Sequence, residues 1–391
     1  MRWRWFLLIS IMTVLTESSP PDEQHHRRHE THIFVEEAPA LLKRDDLFKR
    51  GRAPAQQSHE VIFVVQQRNL AQLEKELHDV SDPNSANYGR HWTSRQVADL
   101  TSNPDGQQAI RAYLQQLGAT VTSETLYGDY ITATATVDVW ESLFHTEFYV
   151  FEQVTVSSVR DRGSDNDAAA GTEKTTLLRA ERYSIPVDLR EHVASVLHTI
   201  QMPLRALGKS SVRPLTGADN ATLPITAMIG GTPLFPYTTP AVLNTYYNIR
   251  SNDGGPLATQ AIAGSLKQTY SPADLNNFDD FFGVTGQSAY VTSKVASSQS
   301  DTVCQTTPLS CIEAALDLQY LTAVSQGAPT TYWYTDALFA PWLLAVADSV
   351  APPLVFSISY GALEKYVSQS EFAVSTPHAC RTGWLAVAGS G

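Results

Sequence analysis

Segments of strand character and segments of helical character alternate along the last part of this chain. Short apolar, β-branched or aromatic runs occur at 260–264, 331–335 and 354–359, and helical spacing occurs at 275–282, 311–325 and 342–349. A strand that is followed by a helix and then by another strand is typical of the crossover that joins parallel strands. The sequence therefore predicts an α/β domain whose parallel sheet is covered by helices on both faces.

A different pattern occupies residues 59–152. Strand-like runs occur at 61–65, 119–121, 130–136 and 148–151, and helical spacing occurs at 69–80, 109–117 and 137–144. This order is close to two consecutive βαβ units, so we expect a ferredoxin-like α+β domain here.

The helical segment that begins near Cys311 carries two acids, Glu313 and Asp317, four residues apart among apolar neighbours. A Glu and an Asp at this spacing lie on one helix face, and they are most often solvated like charges. The apolar neighbours favour the alternative, in which both carboxyl groups border a partly dry cleft. Two such carboxyl groups cannot ionise independently, so one can be poised as a base while the other orients it.

Two stretches of the sequence resemble a known family. The run Asp-Pro-Asn-Ser-Ala-Asn-Tyr-Gly at 82–89 resembles the signature of the pro-kumamolisin activation domain, a chaperone and inhibitor that is cut away on activation. The acidic helix is similar to the Glu-x-x-x-Asp helix of the sedolisin family of serine-carboxyl peptidases. The resemblance runs from about residue 59 to about residue 372, and it implies a subtilisin-like α/β peptidase domain after the activation domain.

The resemblance also implies roles for individual residues. Glu313 would be the general base, and Asp317 would orient it and share its proton, in an enzyme most active at acidic pH. Ser359, Tyr360 and Gly361 resemble the Ser-Trp-Gly segment of the family, whose extended backbone pairs with the peptide substrate, although this chain has Tyr in place of Trp. The implied partners are a peptide or protein substrate and the activation domain itself.

The family pattern is incomplete near residue 391. The run Gly389-Ser390-Gly391 resembles a family motif that normally contains an Asp, and no Ser-Gly-Thr nucleophile motif occurs in the sequence. We therefore expect a truncated peptidase domain that lacks its serine and is inactive, with Ser390 an unsuitable nucleophile. Calcium is expected in complete members of the family, but we expect its ligands to be absent from this chain, and no metal site is predicted. The alternative function is a non-catalytic inhibitor that binds related peptidases.

Composition and charge indicate where such a chain acts. Hydrophobic residues make up 43% and charged residues 17%, and the net charge of −12 argues against a nucleic-acid partner. Residues 1–18 have a basic start and a short apolar core, which predicts a signal peptide and a secreted, lysosomal or vacuolar protein without a membrane anchor. Polar composition predicts a leader at 19–58 and a linker with the processing site at 153–231, so the peptidase domain would span 232–391.

The sequence contains 3 cysteines, Cys304, Cys311 and Cys380. A secretory route would permit one disulfide bond. Cys304 and Cys311 could close a small loop just before the acidic helix, or they could be two buried thiols. The spacing of the cysteines leaves both alternatives open.

Overall fold

The computed structural model describes residues 31–38, 44, 46–157, 171–203, 238–284, 291–293, 298–335, 340–360, 368 and 385–388. The predicted signal peptide and Cys380 lie outside these residues, as do Gly361 and Ser390. No helix of the described part is long and apolar enough to cross a membrane.

The first part of the chain is α+β. Its strands are β1 (His32–Glu37), β2 (Leu47–Arg52), β3 (Ser58–Val65), β4 (Thr120–Glu124), β5 (Tyr130–Thr136), β6 (Phe148–Ser157), β7 (Gly171–Ala180), β8 (Arg182–Pro186) and β9 (Val193–Leu197). Its helices are α1 (Leu70–Ser81), α2 (Ser94–Thr101), α3 (Pro104–Gln116) and α4 (Val137–Phe144). One antiparallel sheet has the strand order β4-β5-β3-β9, a second has the order β2-β6-β7, and β1 pairs with β8.

Strand β3 is buried on both of its faces, which explains why its residues 61–65 are all apolar. Successive side chains of a strand point to opposite faces of the sheet. Val61, Phe63 and Val65 join the main core of this part, together with Trp140 of α4 and other side chains. Ile62 and Val64 join a smaller apolar cluster on the other face. The strands and helices predicted for residues 61–151 are present in the structure.

Helix α2 was not predicted, although its sequence carries a start signal. Thr93 accepts a hydrogen bond from the backbone N–H of Gln96, and the Gln96 side chain accepts one from the backbone N–H of Thr93. This reciprocal arrangement is a capping box, and the spacing Thr-x-x-Gln encodes it. The signal was missed because only Val97, Ala98 and Thr101 of this short helix are buried.

The predictions of a leader at 19–58 and of a linker at 153–231 are wrong for part of each range. Strands β1 and β2 lie within the former range, and β7, β8 and β9 lie within the latter. The charged side chains of these segments suggested a chain without regular structure, but several of them form ion pairs with distant residues. Lys49 of β2 contacts Glu181 at 2.8 Å, and Arg50 contacts Glu152 of β6 at 2.6 Å. Such pairing is invisible in the sequence of one strand alone.

The second part of the chain is α/β. Its strands are β10 (Gln260–Gly264), β11 (Val291–Ser293), β12 (Thr330–Tyr334), β13 (Val355–Ile358) and β14 (Leu385–Ala388). Its helices are α5 (Pro240–Tyr246), α6 (Pro272–Phe282), α7 (Asp301–Thr306), α8 (Ile312–Val324) and α9 (Ala340–Ala347). The strands form one parallel sheet in the order β11-β12-β10-β13-β14.

Helices cover both faces of this sheet, as the sequence predicted. On one face, Trp342 and Val346 of α9 pack with Trp333 and Phe356. The other face is covered by α6 and α8, whose buried side chains pack with Ile262, Tyr270 and Tyr332; these are Leu275, Ala314 and Leu318. The alternation of strands and helices is therefore explained by a sheet that is buried on both sides.

Helix α9 also contacts the first part of the chain. Leu344 packs against the cluster on the outer face of the β4-β5-β3-β9 sheet, which is formed by Ile62, Val64, Tyr130 and Leu197. Just after α9, an Asp348 side-chain oxygen accepts a hydrogen bond from the backbone N–H of Leu126 at 2.9 Å. The second part thus covers apolar side chains of the first part.

Candidate active site

The acid pair lies at the carboxyl edge of the parallel sheet. Helix α8 leads into β12 and covers its sheet, so it runs back across the face and begins near the carboxyl ends of the strands. Residues that follow β10 and β13 belong to the same edge. Open parallel sheets bind their ligands at this edge, in the crevice outside the carboxyl ends of the strands.

A disulfide bond precedes the acid pair. Cys304 of α7 is bonded to Cys311, the residue at the start of α8, with the two Cα atoms 5.5 Å apart. Of the two alternatives that the sequence left open, the structure contains the bridge. It ties the beginning of α8 to α7 and so restricts where Glu313 can lie.

Both carboxyl groups are half-buried, as expected for acids at the border of a cleft. Burial raises the pKa of Glu313 above its usual value. Burial also raises the pKa of Asp317, to about 6, and the nearby negative charge of Glu313 contributes to the increase. Because each charge opposes ionisation of the other group, the pair retains a proton at a pH where isolated carboxyl groups have lost theirs.

The side chain of Ser359 bonds to this pair. Its hydroxyl donates a hydrogen bond to Oδ1 of Asp317 at 2.8 Å. The same hydroxyl lowers the pKa of both carboxyl groups and so offsets part of the effect of burial. Ser359, which the resemblance places in the substrate-pairing segment, therefore lies beside the acids.

The next residue, Tyr360, contacts the loop that follows β10. Its hydroxyl accepts a hydrogen bond from the backbone N–H of Ser265 at 3.2 Å and donates one to the carbonyl oxygen of Ser265 at 3.2 Å. Ser265 is fully buried. The structure thus brings together four of the five predicted site residues, because Gly361 lies outside the described part.

Two further tyrosines hold the loop after β10, and the sequence did not single them out. The Tyr334 hydroxyl accepts a hydrogen bond from the backbone N–H of Lys267 at 3.1 Å. The Tyr332 hydroxyl donates one to the carbonyl oxygen of Gln268 at 3.1 Å. Within this loop, Leu266 and Lys267 have positive φ angles of 54° and 61°, a conformation that non-glycine residues adopt only when their surroundings impose it.

The signal that could have identified these tyrosines is their spacing. Tyr332 and Tyr334 are two residues apart on β12, so both point to the sheet face that α8 covers. Ser265 had no comparable signal, because its part in the site is made by backbone atoms.

The described residues contain no group of three or more His, Cys, Asp or Glu side chains that could hold a metal ion.

The arrangement can accept and return a proton. A half-buried carboxyl pair with a raised pKa keeps one proton between its members in mildly acidic solution, while one carboxylate stays available as a base. A histidine would be charged under the same conditions and could not accept a proton.

Comparisons with known proteins identify similar sequences. The sequence profile described as "Pro-kumamolisin, activation domain" matches residues 45–202. Tripeptidyl-peptidase 1 of Macaca fascicularis is 27% identical over 336 residues, which are 82% of this chain and 53% of that protein. Physarolisin of Physarum polycephalum is 24% identical over 320 residues, 80% of this chain and 47% of that protein.

The tripeptidyl-peptidase 1 of Mus musculus is likewise 27% identical over 332 residues, 81% of this chain and 52% of that protein. The chain spans about half the length of the curated relatives that it matches. The match to residues 45–202 includes strands β7, β8 and β9, which the sequence had assigned to a linker.

Proposed function

We propose that this chain, a relative of the sedolisin peptidases, derives from the zymogen of an acid peptidase in which Glu313 is the general base. Asp317 orients Glu313 and shares its proton. The observation that carries the proposal is the half-buried carboxyl pair at the carboxyl edge of the parallel sheet, with the pKa of Asp317 raised to about 6. The named relatives are peptidases, which agrees with this chemistry.

In the proposed reaction, a serine hydroxyl attacks the carbonyl carbon of the peptide bond. Its proton passes to the Glu313 carboxylate, and that proton later passes to the amine that leaves. The serine then carries the acyl group until water releases it. Sharing a proton with Asp317 keeps Glu313 oriented and lets the base work in acidic solution.

The serine itself is not assigned. The sequence contains no Ser-Gly-Thr, and Ser390 lies outside the described residues. Glu313 and Asp317 are the proposed base and orienting acid of a Ser-Glu-Asp triad whose serine is left unassigned. The relatives leave removal of tripeptides and internal cleavage both possible for the complete protein.

The first part of the chain is proposed to be the activation domain of this zymogen. The strand order β4-β5-β3-β9, with helices between β3 and β4 and between β5 and β9, supports the ferredoxin-like plan expected from the sequence. The contact of Leu344 with the outer face of that sheet supports an inhibitor that binds its own peptidase domain.

The same contact favours a second candidate function. A domain whose outer face is apolar at Ile62, Val64 and Tyr130 could bind the corresponding helix of a related peptidase. The protein would then be a non-catalytic inhibitor. Adding the purified chain to an active sedolisin tests this: slower hydrolysis supports the inhibitor, and an unchanged rate refutes it.

A secreted or lysosome-like location follows from the predicted signal peptide and suits an acid peptidase, and it stays a prediction. Calcium binding in the complete protein stays a prediction as well. A peptide substrate and the activation domain are the partners that this function requires.

The proposed function is tested with protein expressed from the complete transcript. Peptide hydrolysis is assayed in mildly acidic solution for the wild type, for Glu313→Gln and for Asp280→Asn, a control that changes an exposed carboxylate of α6. We expect the Glu313→Gln variant to lose at least about 10²-fold in kcat, as is common for removal of a general base, and the control to keep its activity. Full activity of the Glu313→Gln variant would refute the proposal.

A further inference from the structure

Ser359 and Tyr360 form a connected set of hydrogen bonds that the substrate-pairing role does not use. The hydroxyl of Ser359 is engaged by Asp317 at 2.8 Å. The hydroxyl of Tyr360 is engaged twice by the backbone of Ser265, as donor and as acceptor. Both side chains are therefore committed to the protein, and only the backbone of this segment is left for a peptide.

Tyr360 fixes the position of Ser359 because it is bonded to a well-held loop. Ser265 is fully buried and follows β10, which pairs with β12 on one side and with β13 on the other. The loop is also held by the hydroxyls of Tyr332 and Tyr334. A residue bonded twice to this loop cannot shift by much, so the neighbouring Ser359 is held within reach of α8.

The bond from Ser359 has a direction that matters for the acid pair. Asp317 accepts the only proton that the Ser359 hydroxyl can donate, and a hydroxyl that donates stabilises the charged form of a carboxyl group. Burial acts in the opposite sense on both acids. Ser359 thus limits how far burial shifts the pair and fixes which oxygen of Asp317 faces β13.

We propose that Ser359 is a positioning residue of the acid pair, that its hydroxyl orients Asp317 by donating a hydrogen bond to it, and that Tyr360 holds Ser359 there through the backbone of Ser265. This inference rests on the proposed function for its effect on hydrolysis, but the set of hydrogen bonds exists whether or not the protein is a peptidase.

The first experiment needs no activity. Free energies of unfolding are measured by chemical denaturation near pH 7 for the wild type, Ser359→Ala, Asp317→Ala and the double variant. Hydrogen bonds to charged groups are among the stronger ones in proteins, so we expect the two substitutions to be coupled by about tenfold in the unfolding equilibrium constant. Ser357→Ala, two residues earlier on β13, serves as the matched control and should show no coupling with Asp317→Ala.

The second experiment uses the active protein expressed from the complete transcript. Loss of the hydroxyl in Ser359→Ala should move the acidic limb of the profile of kcat against pH to higher pH, because hydrogen bonding by this hydroxyl lowers the pKa of both acids. KM should stay within about twofold, and Ser359→Thr, which keeps the hydroxyl, should restore the profile. Tyr360→Phe should shift the profile in the same direction by a smaller amount.

The outcomes are separable. Absence of coupling between Ser359→Ala and Asp317→Ala overturns the inference, even if the protein is a peptidase. A raised KM with an unchanged pH profile also overturns it, because the side chain would then contact substrate. Coupling together with no hydrolysis by the protein expressed from the complete transcript supports the positioning role and refutes the proposed function instead.

Discussion

The partly buried carboxylate of Asp317 destabilises the folded protein at neutral pH. The rise of its pKa from 3.8 to about 6 corresponds to roughly 3 kcal/mol in favour of the protonated form. Burial is the main cause, and the neighbouring Glu313 adds to it. Residues that destabilise the fold in this way are typical of sites where chemistry, and not packing, explains the residue.

The cost makes stability depend on pH in a defined direction. A group whose pKa is raised on folding contributes stability below its unfolded pKa, and that contribution is lost as the pH rises through about 6. Asp317→Asn removes the charge, so we expect it to raise the free energy of unfolding by about 1 to 3 kcal/mol at pH 7 and by much less at pH 4. Denaturation at both pH values measures this. A variant that is less stable at pH 7 than the wild type would contradict the account.

Individual residues also show how far the sequence could reach. The partial burial of Glu313 and Asp317 was predicted, because their spacing and apolar neighbours are local properties of the sequence. Ser265 could not be predicted, because its N–H and carbonyl contact Tyr360, which is 95 residues away in the sequence. Backbone contacts over such a separation leave no trace in residue type.

At the scale of elements, the end of β10 is shaped by its contact with β12. A Cβ atom built on Gly264 would lie 2.5 Å from Cζ of Tyr332. Glycine is therefore required there by the tyrosine ring, and the same ring carries the hydroxyl that holds the next loop at Gln268. Packing of one strand thus sets the conformation of the loop beside the acid pair.

Gly264→Ala tests this dependence. The methyl group must displace a fully buried ring, so we expect a loss of about 1 to 3 kcal/mol in the free energy of unfolding. Gly51→Ala is the matched control, because a Cβ atom there has no neighbour within 4 Å, and it should change stability by less than about 0.5 kcal/mol. Equal effects of the two substitutions in thermal or chemical denaturation would show that Tyr332 does not constrain β10.

The elements differ in how well the sequence predicts them. The strands β10, β12 and β13 and the helices α6, α8 and α9 follow their sequence patterns because the sheet is buried on both faces, whereas β11, β14, α5 and α7 were not predicted. Strand β7 was missed because pairing with β6 along ten residues, and not an apolar face, holds it in place. Its residues 174–176 are polar and exposed. A strand stabilised mainly by pairing carries little apolar periodicity, so only its partner identifies it.

At the scale of the whole molecule, the proposed activation domain contains two half-buried histidines whose pKa values are lowered. The His59 ring donates from Nε2 to the carbonyl oxygen of His198 at 2.9 Å. Burial is the main cause that lowers the pKa of each ring to about 4, and the positive charge of Arg179 adds to it. Glu60 is the one negative group that the described contacts place near His198, with His198 Nδ1 and Glu60 Oε1 3.8 Å apart.

Protonation of these rings should weaken the activation domain. Because the unfolded chain binds protons with a pKa near 6.5 and the folded chain only near 4, stability is lost as the pH falls between these values. The variant with His59→Gln and His198→Asn should lose less stability over this window. Asn is chosen at 198 because His198 has a positive φ of 65°, which Asn tolerates.

Denaturation of the full chain at about pH 7 and about pH 5 measures the difference, with the exposed His91→Gln as control. An identical loss of stability in the double variant and the wild type would show that these histidines do not sense pH. If this result is obtained, the proposed activation domain loses stability in the same acidic pH range in which the acid pair carries its shared proton.

The pH dependence of peptide hydrolysis tests the central claim most directly, for protein expressed from the complete transcript and its Glu313→Gln variant. The account predicts that activity of the wild type rises as the pH falls through about 6, where the pair gains its shared proton, and that Glu313→Gln is nearly inactive throughout. Activity that increases above pH 7, or that survives in Glu313→Gln, would contradict the assignment of the acid pair as the base of the reaction.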